Sequence, residues 1–516
     1  MNSHARWLLS LSAALLVSAC GQGSMFECAP ARDWGVESMG HTAPSPLPFD
    51  TAKLDVIAIA PLYSKGAPVI AALVGARYAD VQAYFDRVAA RSGLAQQYGA
   101  IADVTRAIDR RGLYLLPSAL AWAQASPDSK AAKFVLGEVY TAAASEAHGG
   151  GYAREISQAQ MDIFRQRLAH AAAWLEPLAK DDDALGLSAR YTLSGGYFLT
   201  GRSQEGWQTH RWMLEKLPAL ESLYVNALEY AHPKWSGNQS EERAAQVLNL
   251  AEKNGLPLQN QKLLAQIVQA FRDDIENNAD PKAWRTYWTQ RTAEVPGKFN
   301  LTAWLVKEAE VQNWVVVEAL AEKIIDLNPG DRYAWHQKAW ALQQLGKNDE
   351  AFSAMVSAAV VGNDGAMSSI VYAYVKGTLG RRQQAIEAMY EYCKFGAALG
   401  LPSAANCMAS SYTDGFGGVK RDDLQAVRWH LLAARGGEIN SMHDLGVLLP
   451  RVVTGSDAQM AAQFWMRKAA EGGHSFALKK LDGQSAPRPS LGCRVGSKPA
   501  ELVDLVRRFY SFSHNL

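Results

Sequence analysis

Apolar residues recur every three or four positions along most of the chain, from about Thr51 to Gly483. This spacing places them on one face of an α-helix, and the alternation typical of a half-buried strand is scarce. Gly, Pro or Asn interrupts the pattern at short intervals, as in the segments that begin at Arg91, His148 and Thr200. We therefore predict an all-α protein with helices of roughly 10 to 16 residues joined by short turns.

Two segments repeat at an offset of 34 residues. Leu345–Met355 reads LGKNDEAFSAM and Leu379–Met389 reads LGRRQQAIEAM, with Leu, Gly, two Ala and Met in common. This offset is the period of tetratricopeptide repeats, which pack antiparallel helices in pairs. The segment Asp331–Gly362 resembles one such repeat. Its residues at the family's packing positions are Trp335, Ala339, Leu342, Gly346, Ala351 and Ala358.

A second pair of segments repeats at an offset of 36 residues. Ala426 superposes on Ala462 and Trp429 on Trp465, followed in both segments by paired alanines and paired glycines. These segments resemble Sel1-like repeats, which are related to tetratricopeptide repeats, and the combined resemblance covers roughly residues 314–482. Small residues let neighbouring helices approach closely, and the Trp fills the gap between turns. The resemblance implies a right-handed α-solenoid of helix-turn-helix repeats.

The predicted domain order follows from these patterns and from composition. A stretch rich in Pro, Ser and Gly precedes the helical part and is typical of a flexible tether. The segment His232–Gly237, with its helical surroundings, is weakly similar to a bacterial domain family of unknown function, and that similarity implies no activity. The predicted parts are a signal peptide (1–19), a tether (20–50), a helical N-terminal domain (51–295), tetratricopeptide-like repeats (296–366), Sel1-like repeats (367–483) and a C-terminal tail or cap (484–516).

The N-terminus carries a targeting signal. A basic residue, Arg6, precedes the apolar run from Trp7 to Val17, which is far shorter than the roughly 20 residues that span a bilayer. The run ends in a segment that resembles the bacterial lipoprotein signal, in which Cys20 is lipidated and becomes the first residue. Gly21 then implies the outer membrane, with the protein facing the periplasm. An ordinary signal peptide that happens to contain a Cys is the alternative.

Composition excludes some classes of function. Hydrophobic residues make up 48% of the chain and charged residues 20%, as in a folded soluble protein. Lys and Arg, 52 together, nearly balance Asp and Glu, 51 together, and no basic run stands out. Nucleic acid is therefore not an expected partner.

Besides Cys20, the chain has four cysteines: Cys28, Cys393, Cys407 and Cys493. In an oxidising compartment they allow two disulfides in three connectivities. Cys393 and Cys407 fall near adjacent predicted helices and are the better candidate pair, although both could equally be buried free thiols. No CxxC occurs, so we expect no zinc site.

The glycine-rich segment around Gly415, Gly417 and Gly418 matches neither a phosphate-binding loop nor a dinucleotide fingerprint. In the next repeat Met466 takes the place of His430, which argues against a catalytic histidine. Neither HExxH nor GxSxG occurs. We predict no catalytic residue, cofactor or metal, although a hidden carboxylate pair of the glycosidase kind stays open.

One helix of the tetratricopeptide register offers a candidate binding face of aromatic and amide side chains. Such a set suits an extended peptide or a sugar chain, but ordinary solenoid packing explains it as well. Trp235, on a polar turn, is a second candidate. The residues of the face are Tyr333, His336, Trp340, Gln343 and Gln344.

These patterns favour a membrane-anchored periplasmic scaffold that binds a protein or peptide partner, or a glycan, in an envelope or secretion assembly. The resemblance to Sel1-like proteins supports this hypothesis because they are typically adaptor modules. A glycan-cleaving envelope enzyme with a solenoid platform and a membrane-held inhibitor or immunity protein are the rivals.

Overall fold

A computed structural model of the chain describes residues 65–148, 156–273, 275, 279–381, 386–452 and 456–482. These ranges are helical and contain no strand, which confirms the predicted all-α class and helix-turn-helix solenoid. The helices before residue 275 are α1 (Ala67–Val74), α2 (Tyr78–Ala89), α3 (Leu94–Ile108), α4 (Gly112–Ala125), α5 (Lys130–His148), α6 (Gln158–Leu178), α7 (Ala184–Leu199), α8 (Ser203–Lys216), α9 (Glu221–Ala231), α10 (Pro233–Ser236), α11 (Ser240–Lys253) and α12 (Leu258–Asp273). The later helices are α13 (Pro281–Glu294), α14 (Lys298–Glu310), α15 (Trp314–Leu327), α16 (Arg332–Gln344), α17 (Asn348–Val360), α18 (Asp364–Lys376), α19 (Ile386–Ala398), α20 (Pro402–Asp414), α21 (Asp423–Arg435), α22 (Ile439–Val452), α23 (Ser456–Glu471) and α24 (Ser475–Asp482).

The helices group into two compact units, each built from segments that are distant in sequence. The first unit contains Tyr84–Thr105 and Ala144–Ala354. The second contains residues 65–83, Arg106–Ala143 and the described residues from Met355 onward. This grouping follows contacts rather than repeat type, so the predicted boundaries between repeat types stay predictions.

In the first unit, helices that are neighbours in sequence pack on one another. The succession runs from α6 to α9 and continues from α9 to α11 and α12, and a further succession joins α13, α14, α15 and α16. Helix α15 shows why the sequence folds in this way. Its buried residues Val317, Leu320, Ala321 and Ile324 are spaced three and four apart and form one apolar stripe.

In the second unit, helices α18 to α24 pack in the same consecutive manner. Trp429 and Trp465 are buried at equivalent places in α21 and α23, and Ala433 and Ala469 are fully buried. These residues take the packing positions that the 36-residue offset predicts. Small alanines at these points permit close approach of the next helix.

Helices from the N-terminal part of the chain complete the second unit. Helix α4 packs on α21, and α1 packs on α4 and α19. The Arg111 guanidinium donates to the Leu399 carbonyl at 2.7 Å, and the Tyr114 hydroxyl donates to the Ala397 carbonyl at 2.9 Å. Two buried polar side chains thus satisfy backbone groups at the end of α19.

The glycine-rich segment between α20 and α21 is a turn. Gly415 ends α20 in the left-handed conformation with a φ of 75°, which glycine adopts without steric penalty. Asp422 caps α21 by accepting from the N–H groups of Leu424 and Gln425 at 3.0 Å each. In a capping box, a side chain three residues later accepts a hydrogen bond from the N–H of the capping residue. Here the Asp422 N–H donates instead to the Tyr412 carbonyl of α20, at 2.9 Å.

Several predictions concern residues outside the described ranges. The signal peptide (1–19), Cys20, the tether (20–50) and the tail (484–516) lie there, as do Cys28 and Cys493. These predictions are not tested by the structure. Among the described helices, none is both long and apolar enough to span a membrane.

Candidate functional site

A cavity of about 700 Å³ lies within the first unit, between helices α9, α12, α13 and α14. Its volume falls in the range of roughly 300 to 1,000 Å³ that is typical of sites for small ligands. Aliphatic and aromatic side chains make up most of its walls. The larger of these apolar residues include Val225, Leu263, Ile267, Phe271, Phe299 and Val306.

Helical periodicity brings these side chains to one place. Helix α12 presents Leu263, Ile267 and Phe271, which are spaced four apart and therefore share one face. Gly297 precedes α14, and a Cβ there would lie 2.4 Å from the Leu263 Cδ1. The absence of a side chain at Gly297 thus lets α14 begin directly against α12 and close that side of the cavity.

Burial changes from the bottom of the cavity to its mouth. Ile267 is 1% exposed and Trp288 is fully buried, whereas Ser222, Glu229 and Lys298 are exposed on the rim. An apolar bottom with a polar, solvent-facing rim is the arrangement of a binding site that removes an apolar group from water.

The two lysines of the cavity already have carboxylate partners. The Lys298 Nζ lies 2.7 Å from the Asp331 Oδ2, and the Lys307 Nζ lies 3.5 Å from the Glu310 Oε2. Among the acidic wall residues, Glu221 is half-buried at the start of α9, where the helix macrodipole favours an acidic residue. Burial raises the pKa of Glu221. A cation beside this carboxylate would offset the desolvation that raises its pKa.

Two polar atoms in the walls have no hydrogen-bond partner among the described residues, the Trp288 Nε1 and the Thr302 Oγ1. The indole N–H groups of Trp207 and Trp304 donate to side-chain oxygens at 3.0 and 2.9 Å. The Thr292 hydroxyl donates to the Trp288 carbonyl at 2.7 Å. A buried donor without an acceptor costs about 1 to 3 kcal/mol. Two residues of the cavity wall therefore carry hydrogen-bonding capacity that the described part of the protein does not use.

Glu308 holds α13 and α14 at the spacing that forms the cavity. Its carboxylate accepts two bonds from Arg285 at 2.9 Å each, one from Trp304 at 2.9 Å and one from Asn313 at 2.8 Å. Burial raises the pKa of Glu308, but the bonds from Arg285, Trp304 and Asn313 outweigh it and hold the pKa below its usual range. The ionised carboxylate thus ties the helix of Trp288 to the helix of Thr302.

The structure places the predicted binding face on α16, outside the lining of the cavity. Tyr333 packs against the core, and burial, with smaller contributions from Glu310 and Asp331, raises its pKa to about 12. His336 is half-buried, which lowers its pKa. Trp340 is 42% exposed. The two amides of the face differ in burial: Gln343 is half-buried and Gln344 is exposed.

Tyr333 does not line the cavity, whereas Glu310, whose charge helps to raise the pKa of Tyr333, does. Trp235, the other predicted position, is half-buried and its ring lies 6.1 Å from that of Tyr230. Its neighbour His232 does line the cavity and meets the Phe271 ring edge-on at 4.6 Å. A binding role for the predicted residues stays a prediction.

Cys393 and Cys407 form a disulfide between α19 and α20, with a Cα–Cα distance of 5.8 Å. His430, interpreted from the sequence as non-catalytic, is 2% exposed, and its Nδ1 lies 3.0 Å from the Ser441 hydroxyl. Burial lowers its pKa to about 4, which Asp444 opposes weakly. In the described part of the chain no group of three or more His, Cys, Asp or Glu residues is arranged to hold a metal ion.

The cavity residues were not found by the sequence analysis. A signal exists in hindsight, because Glu221, Val225 and Glu229 recur at a spacing of four and place an apolar side chain between two carboxylates on one helix face. The same spacing is also common on ordinary half-exposed helices. The pattern indicates a binding site only in the folded structure, where α9 meets α12, α13 and α14 at the cavity.

No protein-family model and no curated protein matches the sequence. Similar solved structures include a Sel1 repeat protein from Oxalobacter formigenes, at 16% identity over 60% of this chain and 91% of that chain, with a TM-score of 0.37. Another is c5321, a protective antigen of uropathogenic Escherichia coli strains that displays an SLR fold, at 19% identity over 70% and 73% with a TM-score of 0.37. A third is the APC/C hetero-tetramer Cut9–Hcn1, at 14% identity over 78% and 91% with a TM-score of 0.26. These similarities are too low to indicate a function for this chain.

Proposed function

We propose that the protein is a helical-repeat scaffold that binds a protein partner through the cavity of its first unit. The observation that supports this function is a cavity with an apolar bottom and a polar rim, in which two buried atoms of the wall residues, Trp288 Nε1 and Thr302 Oγ1, have no partner among the described residues. Protein interfaces combine a dry apolar centre with a few placed polar groups. A segment of a partner that fills the cavity would supply both kinds of contact.

We further propose that this scaffold lies in the cell envelope and is held to the outer membrane by lipid at Cys20. Multiple acyl chains give lasting attachment, whereas a single chain binds only marginally. We expect Cys20→Ser to move the protein from the membrane pellet to the soluble fraction, with Cys28→Ser as the matched control. Continued sedimentation of Cys20→Ser with membranes would refute the lipid anchor and leave the cavity proposal standing.

A glycan-cleaving enzyme is less well supported by the same walls. Sugar sites need many hydrogen-bonding groups and aromatic faces for stacking, but Val225, Leu263, Ile267 and Val306 form an aliphatic surface. Carboxylates do stand on the rim, at Glu229 and Glu310. Turnover of isolated glycan strands by the purified protein would favour the enzyme over the scaffold.

Photocrosslinking in the producing cells tests the scaffold directly. The photoreactive residue p-benzoylphenylalanine replaces Ser222 on the rim or, as a control, the exposed Glu252 on α11, which does not line the cavity. We expect one protein adduct from position 222 and none of that size from position 252. Ala303→Trp, which fills the cavity, should abolish the adduct while the helical circular dichroism spectrum persists. An adduct that survives Ala303→Trp would move the binding surface elsewhere.

A further inference from the structure

We propose that the cavity recognises a peptide segment in which a Lys or Arg side chain stands beside a bulky apolar side chain, the cation pairing with Glu221. This inference rests on the proposed function and names the chemistry of its partner. The apolar side chain would occupy the space between α9, α12 and α14. A backbone carbonyl of the segment would accept a hydrogen bond from Trp288 or Thr302.

Charge supports the cation. Three carboxylates line the cavity, on Glu221, Glu229 and Glu310, against two lysines. Lys307 pairs with Glu310, and Lys298 pairs with Asp331, which is outside the lining. Glu221 has no ion pair or hydrogen bond from a side chain in the described residues and is half-buried. An incoming cation would meet an excess of negative charge.

The hydrogen-bonding groups support a peptide backbone. An indole N–H only donates, so the Trp288 Nε1 requires an acceptor from the ligand. The Thr302 hydroxyl can donate or accept and stands on the neighbouring helix α14. An extended peptide presents carbonyl and N–H groups at every residue, whereas a purely hydrocarbon ligand would leave both wall atoms unpaired.

The apolar walls support the bulky neighbour. Val225 and Val306 lie on helices α9 and α14, and Leu263, Ile267 and Phe271 lie on α12. Burying a Leu or Phe side chain completely raises affinity by roughly tenfold to a hundredfold. The cation alone would gain less, because a charge pair near solvent contributes about fivefold or less in affinity. The apolar contact therefore supplies affinity and Glu221 supplies selectivity.

The test uses the full chain, solubilised, and capped fluorescent pentapeptides of sequence Gly-Phe-Lys-Leu-Gly, measured by fluorescence anisotropy. A second peptide carries norleucine in place of Lys, which keeps the aliphatic stem and removes the charge. We expect wild type to prefer the Lys peptide by about fivefold. Glu221→Gln should abolish this preference, and Glu252→Gln, the same change away from the cavity, should retain it.

A reversal variant separates loss of charge recognition from loss of folding. Glu221→Lys should bind a peptide with Glu in place of Lys better than the Lys peptide. Trp288→Phe and Thr302→Val should weaken the Lys and norleucine peptides by a similar factor, about fivefold. Their ratio should stay that of wild type, because neither variant touches the charge.

Every result decides the inference. Equal binding of the Lys and norleucine peptides to wild type overturns the cation, and absence of binding to both overturns the peptide class. In either case an adduct at position 222 that Ala303→Trp removes would leave the proposed scaffold function intact. Absence of both peptide binding and that adduct would remove the scaffold proposal as well.

Discussion

The Arg285 guanidinium on α13 forms two hydrogen bonds of 2.9 Å with the Glu308 carboxylate on α14, which is 1% exposed. Two further donors, from Trp304 and Asn313, complete the coordination of this carboxylate. The bonds join the helices that carry the two unpartnered wall atoms of the cavity. Glu308 does not itself line the cavity, but the spacing of the two helices that carry these wall residues depends on its charge.

Glu308→Ala should lower the free energy of unfolding by about 2 to 3 kcal/mol, because Trp304 and Asn313 lose their acceptor. Denaturant unfolding followed by circular dichroism measures this. Glu205→Ala, which removes an exposed partner of Arg202, should leave the transition unchanged. Since the folded pKa of Glu308 is lowered, its stabilisation is present above the unfolded value of about 4.3 and is lost as the pH falls through the folded pKa. Equal effects of both substitutions would contradict the role of Glu308.

His430 should make the stability of the second unit sensitive to acid. Its folded pKa is lowered to about 4, so the unfolded chain binds the proton first as the pH falls below about 6.5. Stability is therefore retained above that pH and lost between about 6.5 and 4, by on the order of 2 to 3 kcal/mol. His430→Met, the residue type at the equivalent position of the next repeat, should flatten this decline. A decline of the same size in His430→Met would assign the acid sensitivity to other groups.

The Cys393–Cys407 disulfide closes a loop with a sequence separation of 14, for which chain entropy gives a stabilisation of about 3 kcal/mol. The Cys393→Ala/Cys407→Ala double variant should lose this amount in denaturant unfolding. The measurement is made with Cys20, Cys28 and Cys493 replaced by Ser, so that no other thiol reacts. Dithiothreitol should destabilise the parent and leave the double variant unchanged. An effect of dithiothreitol on the double variant would contradict this assignment.

Thr302→Val should raise the free energy of unfolding by about 1 kcal/mol while weakening peptide binding. The substitution removes a buried hydroxyl without a partner and adds an apolar group of similar shape. The matched control is Thr292→Val, which removes a hydroxyl bonded at 2.7 Å and should destabilise. A protein that is less stable with Thr302→Val would show that the hydroxyl already has a partner. Residues of functional sites often lower the stability of the folded protein while they contribute to binding.

The repeats could be predicted from the sequence because their packing residues recur at a fixed offset. Trp429 and Trp465 are buried at equivalent places for this reason. The cavity could not, because its walls come from four helices whose side chains share no common period. Leu263 and Ile267 read equally well as core residues. The missing partner of Trp288 is a property of the folded surroundings, which no local pattern of residues encodes.

The predicted face on α16 shows a related limit. Helical spacing correctly places Tyr333 and Trp340 on one helix, but it does not tell how far each is buried. Tyr333 packs against the core and Trp340 is 42% exposed. Burial depends on packing against the preceding helices α14 and α15, which the spacing within α16 does not show.

The hydrogen bond from Arg111 to Leu399 spans 288 positions, and this has a consequence for biosynthesis. Synthesis proceeds from the N-terminus, so Arg111 and Tyr114 are made long before the carbonyls that they contact. The second unit can close only after residue 399 has reached the compartment in which the chain folds, and the long loop slows closure further. During that interval the early helices of this unit must wait with their apolar surfaces uncovered.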